Sequence, residues 1–373
     1  MRKVSSIEAM ELAIEEGKKG WGNVAPNPLV GCSIVSSKGE LLSVGYHRQF
    51  GGPHAEVVAL NNVKDPESLI GAHVFVTLEP CAHQGKTGSC ATALVDAKVG
   101  SVTYGVEDPN PLVAGLGLKR LQEAGILVQE TTPELAKKCR DLAEMFLHGQ
   151  TSKYPFVALK IASSLDGVIA LKSGESRWIT SERSRIRVHY LRAQFDALLV
   201  GRKTVVEDDP LLNIRHPDFG ERSNRVVIID PELKLLENIE KKRLFSSRNP
   251  KDVIFISAAT KEVSDLKGCT NIAVPESQNG LDLDSAMLAL RKVGIESLFV
   301  EGGAYTLGAF FRKPYLVNKL YLFVSGSILG MGNGVSWSEH FEIARLDKKI
   351  VLDNISCEGL DKDLLVTAKI QGK

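Results

Sequence analysis

Two short motifs, HAE at residues 54–56 and EPCAHQGKTGSC at residues 79–90, decide how the first half of this chain is interpreted. They supply one imidazole, on His54, and two thiols, on Cys81 and Cys90. Three protein ligands leave the fourth tetrahedral position of a zinc ion open, which distinguishes a catalytic zinc site from a closed structural one. Zinc at such a site lowers the pKa of a bound water toward neutrality. The motifs therefore predict one catalytic Zn²⁺ per chain.

Glu56 follows the histidine by two residues and is not needed as a ligand. A zinc-bound water needs a proton carrier beside it, and a carboxylate suits this role. Zinc nucleobase deaminases use this combination on C4 of cytosine or C6 of adenine. Their general signature has two residues between its cysteines, whereas eight separate Cys81 from Cys90 here. The pattern predicts Glu56 as the catalytic residue of a deaminase whose metal loop is longer than usual.

A closed zinc knuckle or a pair of buried thiols is the structural alternative. A knuckle needs a fourth protein ligand, and the nearest candidate is His83, separated from Cys81 by a single residue. That spacing is tighter than the usual ligand spacing, so the catalytic interpretation is favoured.

Size and composition restrict the class of protein. The chain has 373 residues, of which 43% are hydrophobic and 24% charged, as expected for a globular protein of two domains. A net charge of +1 argues against a nucleic-acid partner, because phosphate contacts usually leave a basic footprint. We find no signal-peptide pattern before the first helix and no apolar run as long as a membrane span, so we expect a cytoplasmic protein with no membrane partner. The remaining cysteines suggest buried or incidental thiols rather than a disulfide framework: Cys32, Cys139, Cys269 and Cys357.

Strand and helix patterns alternate in the first half and predict an α/β sandwich. Ser5 and Glu8 have the spacing of a capping box at the start of the first helix. Both ligand clusters fall where a loop enters a helix, and the positive end of a helix stabilises thiolates. The predicted elements are a hairpin over 30–35 and 41–46, strands at 74–78 and 102–106, and helices from about 54, from about 89, at 116–124 and at 133–147.

A polar stretch at 148–154 predicts a linker to a second α/β unit. Lys234 to Lys251 is rich in charge and predicts a solvated loop. The other predicted elements are strands at 156–162, 197–200, 226–229, 253–256, 298–300 and 320–324, and helices at 183–193, 285–293 and 305–312.

The first half resembles the deaminase of riboflavin biosynthesis, in which the same HAE is followed by Pro-Cys, His, Gly-Lys-Thr and a second Cys. The resemblance implies a cytidine-deaminase-like, three-layer α/β/α zinc-dependent deaminase domain at residues 1–147. Composition alone would make the Pro-flanked Asn and Asp residues turn formers. The resemblance instead implies that the substrate pocket is lined by Asn27, His47, His83, Lys86, Asp108 and Asn110. A pyrimidinone ring offers donors and acceptors for Asn and Asp, and a ribose phosphate attracts a cation such as Lys86. Two prolines usually precede the second cysteine in this family; Gly88-Ser89 replace them here, and neither is expected to ligate the metal.

The second half resembles the matching reductase, a relative of dihydrofolate reductase. The motifs that carry this resemblance include LKIASSLDG at 159–167, GRKTV at 201–205, DDPLL at 208–212 and VEGGAYTLG at 300–308. By itself, a Gly-Gly pair after a strand is more often only a turn, and it is not the spaced glycine fingerprint of the doubly wound dinucleotide fold. The resemblance implies a dihydrofolate-reductase-like α/β domain at 155–373 that uses NADPH.

The same resemblance assigns residues to the reductase site. NADPH contacts are implied for Ala162, Trp178, Thr204, Asp208, and the pyrophosphate loop Gly303, Ala304, Tyr305, Thr306, Leu307, Gly308 and Ala309. Substrate contacts are implied for Ser176, Arg192, Leu212, Arg215 and Glu301. The two arginines suit a phosphorylated sugar, because a guanidinium binds phosphate bidentately.

Two details concern the choice of cofactor. Pro231 stands where the family commonly has a small hydroxyl residue near the cofactor, and proline offers neither a hydroxyl nor a backbone donor. Arg202 and Lys203 follow Gly201 at a strand end where the resemblance implies that the cofactor binds, and two cations there favour the extra phosphate of NADPH. Solvated loop charges are the alternative for this pair.

The resemblance implies a bifunctional riboflavin-biosynthesis enzyme. We expect hydrolytic deamination of 2,5-diamino-6-(5-phosphoribosylamino)pyrimidin-4-one, followed by NADPH-dependent reduction of the ribosyl group of 5-amino-6-(5-phosphoribosylamino)uracil. The expected partners are these small molecules and further copies of the chain in a homo-oligomer. A nucleoside or tRNA deaminase fused to an inactive module would have a basic groove or a two-residue cysteine spacing. A scaffold that holds zinc structurally would be expected to lack Glu56.

Overall fold

The chain forms two compact units, residues Met1–Ser152 and Lys153–Lys373. The structure is a computed structural model that describes residues 2–82, 88–110, 113–260 and 265–371. The predicted substrate residues His83 and Lys86 lie outside the described residues. Within the described ranges, no helix is both long enough and apolar enough to cross a bilayer.

The first unit has a mixed sheet of five strands. Its helices are α1 (Ser6–Lys18), α2 (Ala55–Asn61), α3 (Cys90–Asp96), α4 (Leu116–Glu123), α5 (Pro133–Leu142) and α6 (Glu144–Thr151), with a 3₁₀ turn at Pro66–Leu69. Its strands are β1 (Gly31–Val35), β2 (Leu41–Tyr46), β3 (His73–Val76), β4 (Ser101–Tyr104) and β5 (Leu127–Glu130). The strand order is β2-β1-β3-β4-β5, and β3, β4 and β5 run parallel to one another. The predicted hairpin β1–β2 and the Ser5–Glu8 capping box are confirmed.

Two glycines allow helices to lie directly on opposite faces of this sheet. A Cβ atom on Gly31 would lie 1.9 Å from the carbonyl oxygen of Ala13 in α1. One on Gly45 would lie 2.4 Å from the backbone nitrogen of Ala59 in α2. Gly45 pairs with Cys32, the neighbour of Gly31, and neighbouring residues of a strand face opposite ways. Helices α1 and α2 therefore cover opposite faces, which makes the unit a three-layer α/β/α sandwich.

The second unit has a sheet of nine strands. Its helices are α7 (Glu182–Arg192), α8 (Arg202–Asp208), α9 (Arg243–Ser246), α10 (Leu283–Lys292) and α11 (Ala304–Phe311), with 3₁₀ turns at Lys234–Lys241, Pro250–Asp252, Pro314–Leu316 and Leu346–Lys348. Its strands are β6 (Phe156–Ser163), β7 (Val168–Leu171), β8 (Ala197–Gly201), β9 (Asn213–His216), β10 (Gly220–Ser223), β11 (Arg225–Ile229), β12 (Val253–Ala258), β13 (Thr270–Val274), β14 (Glu276–Ser277), β15 (Gly280–Leu281), β16 (Ser297–Val300), β17 (Lys319–Ser325), β18 (Gly334–Ser336), β19 (Leu352–Leu360) and β20 (Asp363–Ile370).

The order of the large sheet is β13-β12-β11-β8-β16-β6-β17-β20-β19. The strands from β13 to β17 are parallel, and β20 and β19 continue the sheet in antiparallel pairing. Strands β8, β12 and β16 are buried along almost their whole length, as expected for parallel strands covered on both faces. In open α/β sheets, ligands bind outside the carboxyl ends of such strands. The predicted reductase residues at strand ends are therefore well placed.

The prediction of a solvated loop at 234–251 is wrong. This segment forms the 3₁₀ turn at Lys234–Lys241, helix α9 and a further short turn. Leu235, Leu236, Ile239 and Leu244 are at most 5% exposed. The apolar side chains of these short turns face inward, and most of the charged ones face outward, so the segment is amphipathic. Its high charge content alone had suggested a loop.

Other elements also differ from prediction: helix α8 and the strands β7, β9, β10, β13, β14, β15, β18 and β20 were not predicted. The predicted helix at 133–147 is interrupted at Ala143 and continues as α6 to Thr151, so residues 148–151 of the proposed linker are helical. The polar side chains of this last turn do not prevent a helix. The Thr151 hydroxyl, for example, donates to the Leu147 carbonyl oxygen one turn earlier, at 3.0 Å. The mostly exposed strands β5 and β19 were not predicted, because they lack the apolar alternation of a half-buried strand.

Candidate active sites

The side chains of His54, Cys81 and Cys90 meet at one point of the first unit. Their ligand atoms all lie within 4.8 Å of one another. His54 Nδ1 is 3.2 Å from Cys90 Sγ and 3.6 Å from Cys81 Sγ. One imidazole nitrogen and two sulfurs at this separation form a donor set suited to zinc, with a fourth position left for a water or substrate.

Local backbone structure holds each of these side chains in place. His54 is the N-cap residue of α2, and Cys90 is the first residue of α3. Cys81 lies in the loop after β3, where its carbonyl oxygen accepts from Ala91 N at 3.1 Å and from Ser89 Oγ at 2.9 Å. Both cysteines therefore lie at the N-terminus of α3, where the helix dipole favours thiolates.

The two thiols share negative charge. A hydrogen bond from Cys90 lowers the pKa of Cys81 to about 4, and His54 adds to this effect. The same contact and burial raise the pKa of Cys90 far above its usual value. Because a cation is bound by deprotonated thiolates, a site with one thiolate already formed fits a divalent metal.

Glu56 lies in the first turn of α2 and is only 3% exposed. Burial is the main reason that its pKa rises to about 7, and the negative charge of Cys81 adds to the increase. A carboxyl group with a pKa near the working pH can both accept and donate a proton. Its position beside Cys90, outside the trio of ligand atoms, matches the predicted role of proton carrier.

His47 and Asn27, both predicted to contact substrate, are hydrogen-bonded to each other. Asn27 Nδ2 is 3.0 Å from His47 Nε2, and His47 Nδ1 is 3.0 Å from the Pro53 carbonyl oxygen. A carbonyl oxygen only accepts, so Nδ1 carries the proton and Nε2 accepts from Asn27. Burial lowers the pKa of His47, which keeps the ring neutral. With His47 only 2% exposed, the more accessible Asn27 amide is the group that can reach a ligand.

Asp108 and Asn110 lie in the loop between β4 and α4. The Asp108 carboxylate accepts from Asn110 N at 2.9 Å, which closes a tight turn. Glu79, which precedes Pro80-Cys81, accepts from Asp108 N at 3.2 Å. The loop that carries these two predicted substrate residues is therefore attached to the segment that carries a metal ligand.

In the second unit, Arg192 and Glu301 form a partly buried bidentate ion pair. Arg192 Nε and Nη2 donate to the two Glu301 oxygens at 2.5 and 3.0 Å. Lys160 Nζ lies 3.8 Å from the same carboxylate. Burial alone would raise the pKa of Glu301, but the charges of Arg192 and Lys160 outweigh it and lower that pKa.

Lys160 is a site residue that sequence reasoning did not single out. It lies inside the otherwise apolar strand β6, and burial lowers its pKa. Its strand neighbour Leu159 pairs with Val300, so Lys160, in the middle of β6, lies beside Glu301, which directly follows β16. A lysine within an apolar buried strand was the signal that could have identified it.

Arg215 and Leu212 lie near this cluster. The Arg215 backbone N–H donates to His189 Nδ1 at 3.2 Å. Burial and the charges of Arg192 and Arg215 lower the pKa of His189 to about 4. Leu212 is only 4% exposed and has a left-handed φ of 49°.

Four of the predicted cofactor contacts lie outside the pyrophosphate loop. Asp208, at the end of α8, accepts from the Ser176 hydroxyl at 3.2 Å and thereby joins a predicted NADPH contact to a predicted substrate contact. Trp178 is 72% exposed, and the Arg185 guanidinium lies 4.3 Å from its ring centroid. Ala162 lies at the carboxyl end of β6, and Thr204 in α8 is half-buried.

The predicted pyrophosphate loop is the start of α11. Gly303 is its N-cap residue and is exposed, and a Cβ atom there would meet no atom within 4 Å. This open backbone at a helix N-terminus fits a phosphate. Tyr305 is also exposed, whereas Thr306, Leu307 and Gly308 are buried in the body of the helix. Only the first turn of the predicted segment is thus accessible to a ligand.

Comparisons with known proteins identify the family of both units. Residues 4–106 match the family model of the cytidine and deoxycytidylate deaminase zinc-binding region, and residues 155–365 match that of the RibD C-terminal domain. The riboflavin biosynthesis protein RibD of Actinobacillus pleuropneumoniae is 34% identical over 98% of this chain and 95% of its own length. The chain belongs to the RibD family of riboflavin biosynthesis proteins.

Solved structures support the assignment to the RibD family. The structure of RibD from Acinetobacter baumannii matches with a TM-score of 0.82 and 31% identity, covering 98% of both chains. A diaminohydroxyphosphoribosylaminopyrimidine deaminase/5-amino-6-(5-phosphoribosylamino)uracil reductase from Thermotoga maritima matches with a TM-score of 0.83 and 32% identity, covering 97% of this chain and 98% of that one. The predictions of a cytidine-deaminase-like first unit and a dihydrofolate-reductase-like second unit are confirmed. As a member of the RibD family, the chain is a bifunctional deaminase and reductase that uses zinc and NADPH.

Proposed function

We propose that the first unit hydrolyses 2,5-diamino-6-(5-phosphoribosylamino)pyrimidin-4-one at its 2-amino group and that the second unit reduces the product. The observation that carries this proposal is the convergence of one imidazole nitrogen and two thiol sulfurs beside a buried carboxyl group in a RibD-family chain. In the deamination, water replaces the amino group at C2, and ammonia leaves. The product is 5-amino-6-(5-phosphoribosylamino)uracil.

In the deaminase site, His54, Cys81 and Cys90 would hold the zinc. Zinc supplies a Lewis acid that makes a water nucleophilic at neutral pH. Glu56 accepts a proton from the attacking water, passes it to the ring nitrogen, and then delivers a proton to the departing ammonia. Burial of Glu56 supports this role because its raised pKa suits both directions of transfer. Asn27, Asp108 and Asn110 orient the ring.

In the reductase site, bound NADPH would supply the hydride that, together with a proton, converts the ribosyl group into a ribityl chain. Arg192, Arg215 and Glu301 bind the phosphorylated sugar, and Lys160 lies beside them as a buried group that can hold a proton. Gly303 and the first turn of α11 receive the cofactor pyrophosphate. The protein mainly orients the two reactants.

The test is product analysis with the diaminopyrimidinone phosphate as sole substrate. Without NADPH, the only product should be the deaminated compound, with its ribosyl group intact. With NADPH, the ribityl compound should replace it. Recovery of unchanged substrate from a zinc-loaded enzyme would exclude the proposed deamination. We also propose a cytoplasmic location and a homo-oligomer, as the sequence predicts; sedimentation of the purified protein tests the second.

Arg202 and Lys203 differ in their surroundings, which refines the prediction about cofactor choice. Arg202 Nε lies 3.6 Å from Asp230 Oδ1, a buried atom with no hydrogen-bond partner. Lys203 pairs with Glu207 on the outer side of α8, and its side chain is 82% exposed. Gly201, the residue before Arg202, packs against α11, because a Cβ atom on Gly201 would lie 2.9 Å from Thr306 Oγ1. Arg202 therefore lies close to the predicted pyrophosphate site.

Replacing both cations, as Arg202→Ala with Lys203→Ser, is expected to raise the KM for NADPH about tenfold, because a charge-assisted contact to the 2′-phosphate is lost. The KM for NADH should hardly change. The single variant Arg202→Ala should account for most of the effect, and Lys203→Ser serves as its matched control. An equal response of the two cofactors would mean that neither residue contacts the 2′-phosphate.

A further inference from the structure

Glu79 lies in the loop after β3, which also carries the predicted metal ligand Cys81. It connects this metal loop to a segment that is far away in sequence. It is only 7% exposed, and its two carboxylate oxygens accept from three backbone N–H groups. Oε2 accepts from Asp108 at 3.2 Å and from Gly115 at 3.1 Å, and Oε1 accepts from Gly117 at 3.0 Å. All three donors lie between β4 and the first turn of α4, in a segment that contains two of the predicted substrate residues, Asp108 and Asn110.

Two of these hydrogen bonds cap α4. Its N-cap residue is Gly115, which has no side chain, and the first N–H groups of a helix have no partner within it. A carboxylate at this positive end is stabilising. Glu79 therefore acts as a remote cap, and its third hydrogen bond, to Asp108, extends the attachment from the helix to the loop.

The backbones of the two segments also lie in direct contact with each other. A Cβ atom on Gly117 would lie 1.7 Å from the Pro80 carbonyl oxygen, so helix and loop are in direct backbone contact. Glu79 N also donates to the Val106 carbonyl oxygen at 2.8 Å. Cys81, two residues after Glu79, is fixed in turn to the start of α3 through Ala91 and Ser89. The three-residue segment 79–81 thus carries a predicted metal ligand, Cys81, at one end. At the other end, Glu79 binds the loop that bears Asp108 and Asn110.

We infer that Glu79 is a positioning residue that sets the distance between the metal ligands and the loop bearing Asp108 and Asn110. This inference rests on the proposed deaminase function. The hydrogen bond from Asn110 N to Asp108 Oδ1 ties the two residues into one turn, so the hydrogen bond to Asp108 N places both side chains. Glu79 thereby determines how the pyrimidine ring is held against Glu56.

Replacement of Glu79 by Gln tests the inference. The amide offers one acceptor oxygen in place of two and directs N–H donors at backbone donors, so the loop is released. The expected result is a KM for the pyrimidine raised tenfold or more, a kcat lowered by less than about threefold, one zinc per chain, and unchanged reductase activity. Asp196→Asn is the matched control, because Asp196 also accepts from two backbone N–H groups, of Glu296 at 2.8 Å and Ser297 at 2.9 Å, but in the second unit. It should leave the deaminase KM unchanged.

The outcomes separate the inference from the proposed function. If wild-type enzyme releases no ammonia from the pyrimidine, the proposed function fails. If wild-type enzyme turns over and Glu79→Gln keeps the wild-type KM, the inference fails. The inference also fails if the folded variant loses its zinc, because Glu79 would then be needed to hold the metal ligands rather than to place the loop bearing Asp108 and Asn110. Should Glu79→Gln not fold, Glu79→Asp decides: this carboxylate is one methylene too short to keep all three contacts, so a raised KM supports the inference and a wild-type KM contradicts it.

Discussion

Replacing Glu56 by Gln is expected to leave zinc bound and to lower the rate of deamination by about 10²–10⁴-fold, the usual contribution of a general acid–base group. The amide keeps the size of the side chain but can no longer take the proton from the attacking water or pass it on. Glu56 is buried next to Cys90, and burial raises its pKa to about 7, so both functions depend on this single carboxyl group. Ammonia release at saturating substrate measures the effect.

Elemental analysis of the same sample separates catalysis from metal binding. One zinc per chain should remain, because the ligand atoms belong to His54, Cys81 and Cys90. Glu123→Gln, an exposed glutamate of α4, is a suitable control and should leave both zinc and rate unchanged. Zinc loss in Glu56→Gln would overturn the assignment of roles, since it would make Glu56 part of the metal site.

Replacing Cys81 by Ser is expected to abolish zinc binding and deamination and to leave the reductase active on 5-amino-6-(5-phosphoribosylamino)uracil. The two units have separate hydrophobic cores, one around β1 and β3 and the other around β6 and β16. Domains with their own cores can in principle fold alone. Oxidation of NADPH with the deaminated compound as substrate measures the retained activity.

The reciprocal variant is Glu301→Gln, which removes the carboxylate that pairs with Arg192 and Lys160. It should lose reduction and keep ammonia release. A Cys81→Ser protein that is folded, by circular dichroism, but inactive as a reductase would show that the two sites depend on each other.

Local patterns in the sequence were sufficient to predict most elements that surround the sites. The Ser5–Glu8 capping box and the β1–β2 hairpin depend on residues close in sequence, and both are present. The metal trio was predictable because zinc chemistry restricts its ligands to a few residue types at a few spacings. Strand β19 and the turns after Lys234 were not predicted, because their many polar residues obscure the apolar pattern. Their structure depends on contacts with residues far away in sequence.

The residues missed at the sites share one physical cause. Lys160 and Glu79 act through partners 141 and at least 29 positions away, at Glu301 and Asp108 respectively. No spacing rule predicts such contacts, because they arise from parallel strand pairing and from a helix that lacks a side-chain cap. His47 was identified only through resemblance, and its two hydrogen bonds show that it orients Asn27.

The central claim is that one chain carries out two successive reactions on one small molecule. The most direct test is the stoichiometry of ammonia released and NADPH oxidised by the purified, zinc-loaded enzyme with the diaminopyrimidinone phosphate. The account predicts one ammonia and one NADP⁺ for each ribityl product, and ammonia release that continues when NADPH is omitted. Oxidation of NADPH without ammonia release, or ammonia release with no NADPH consumption in its presence, would contradict it.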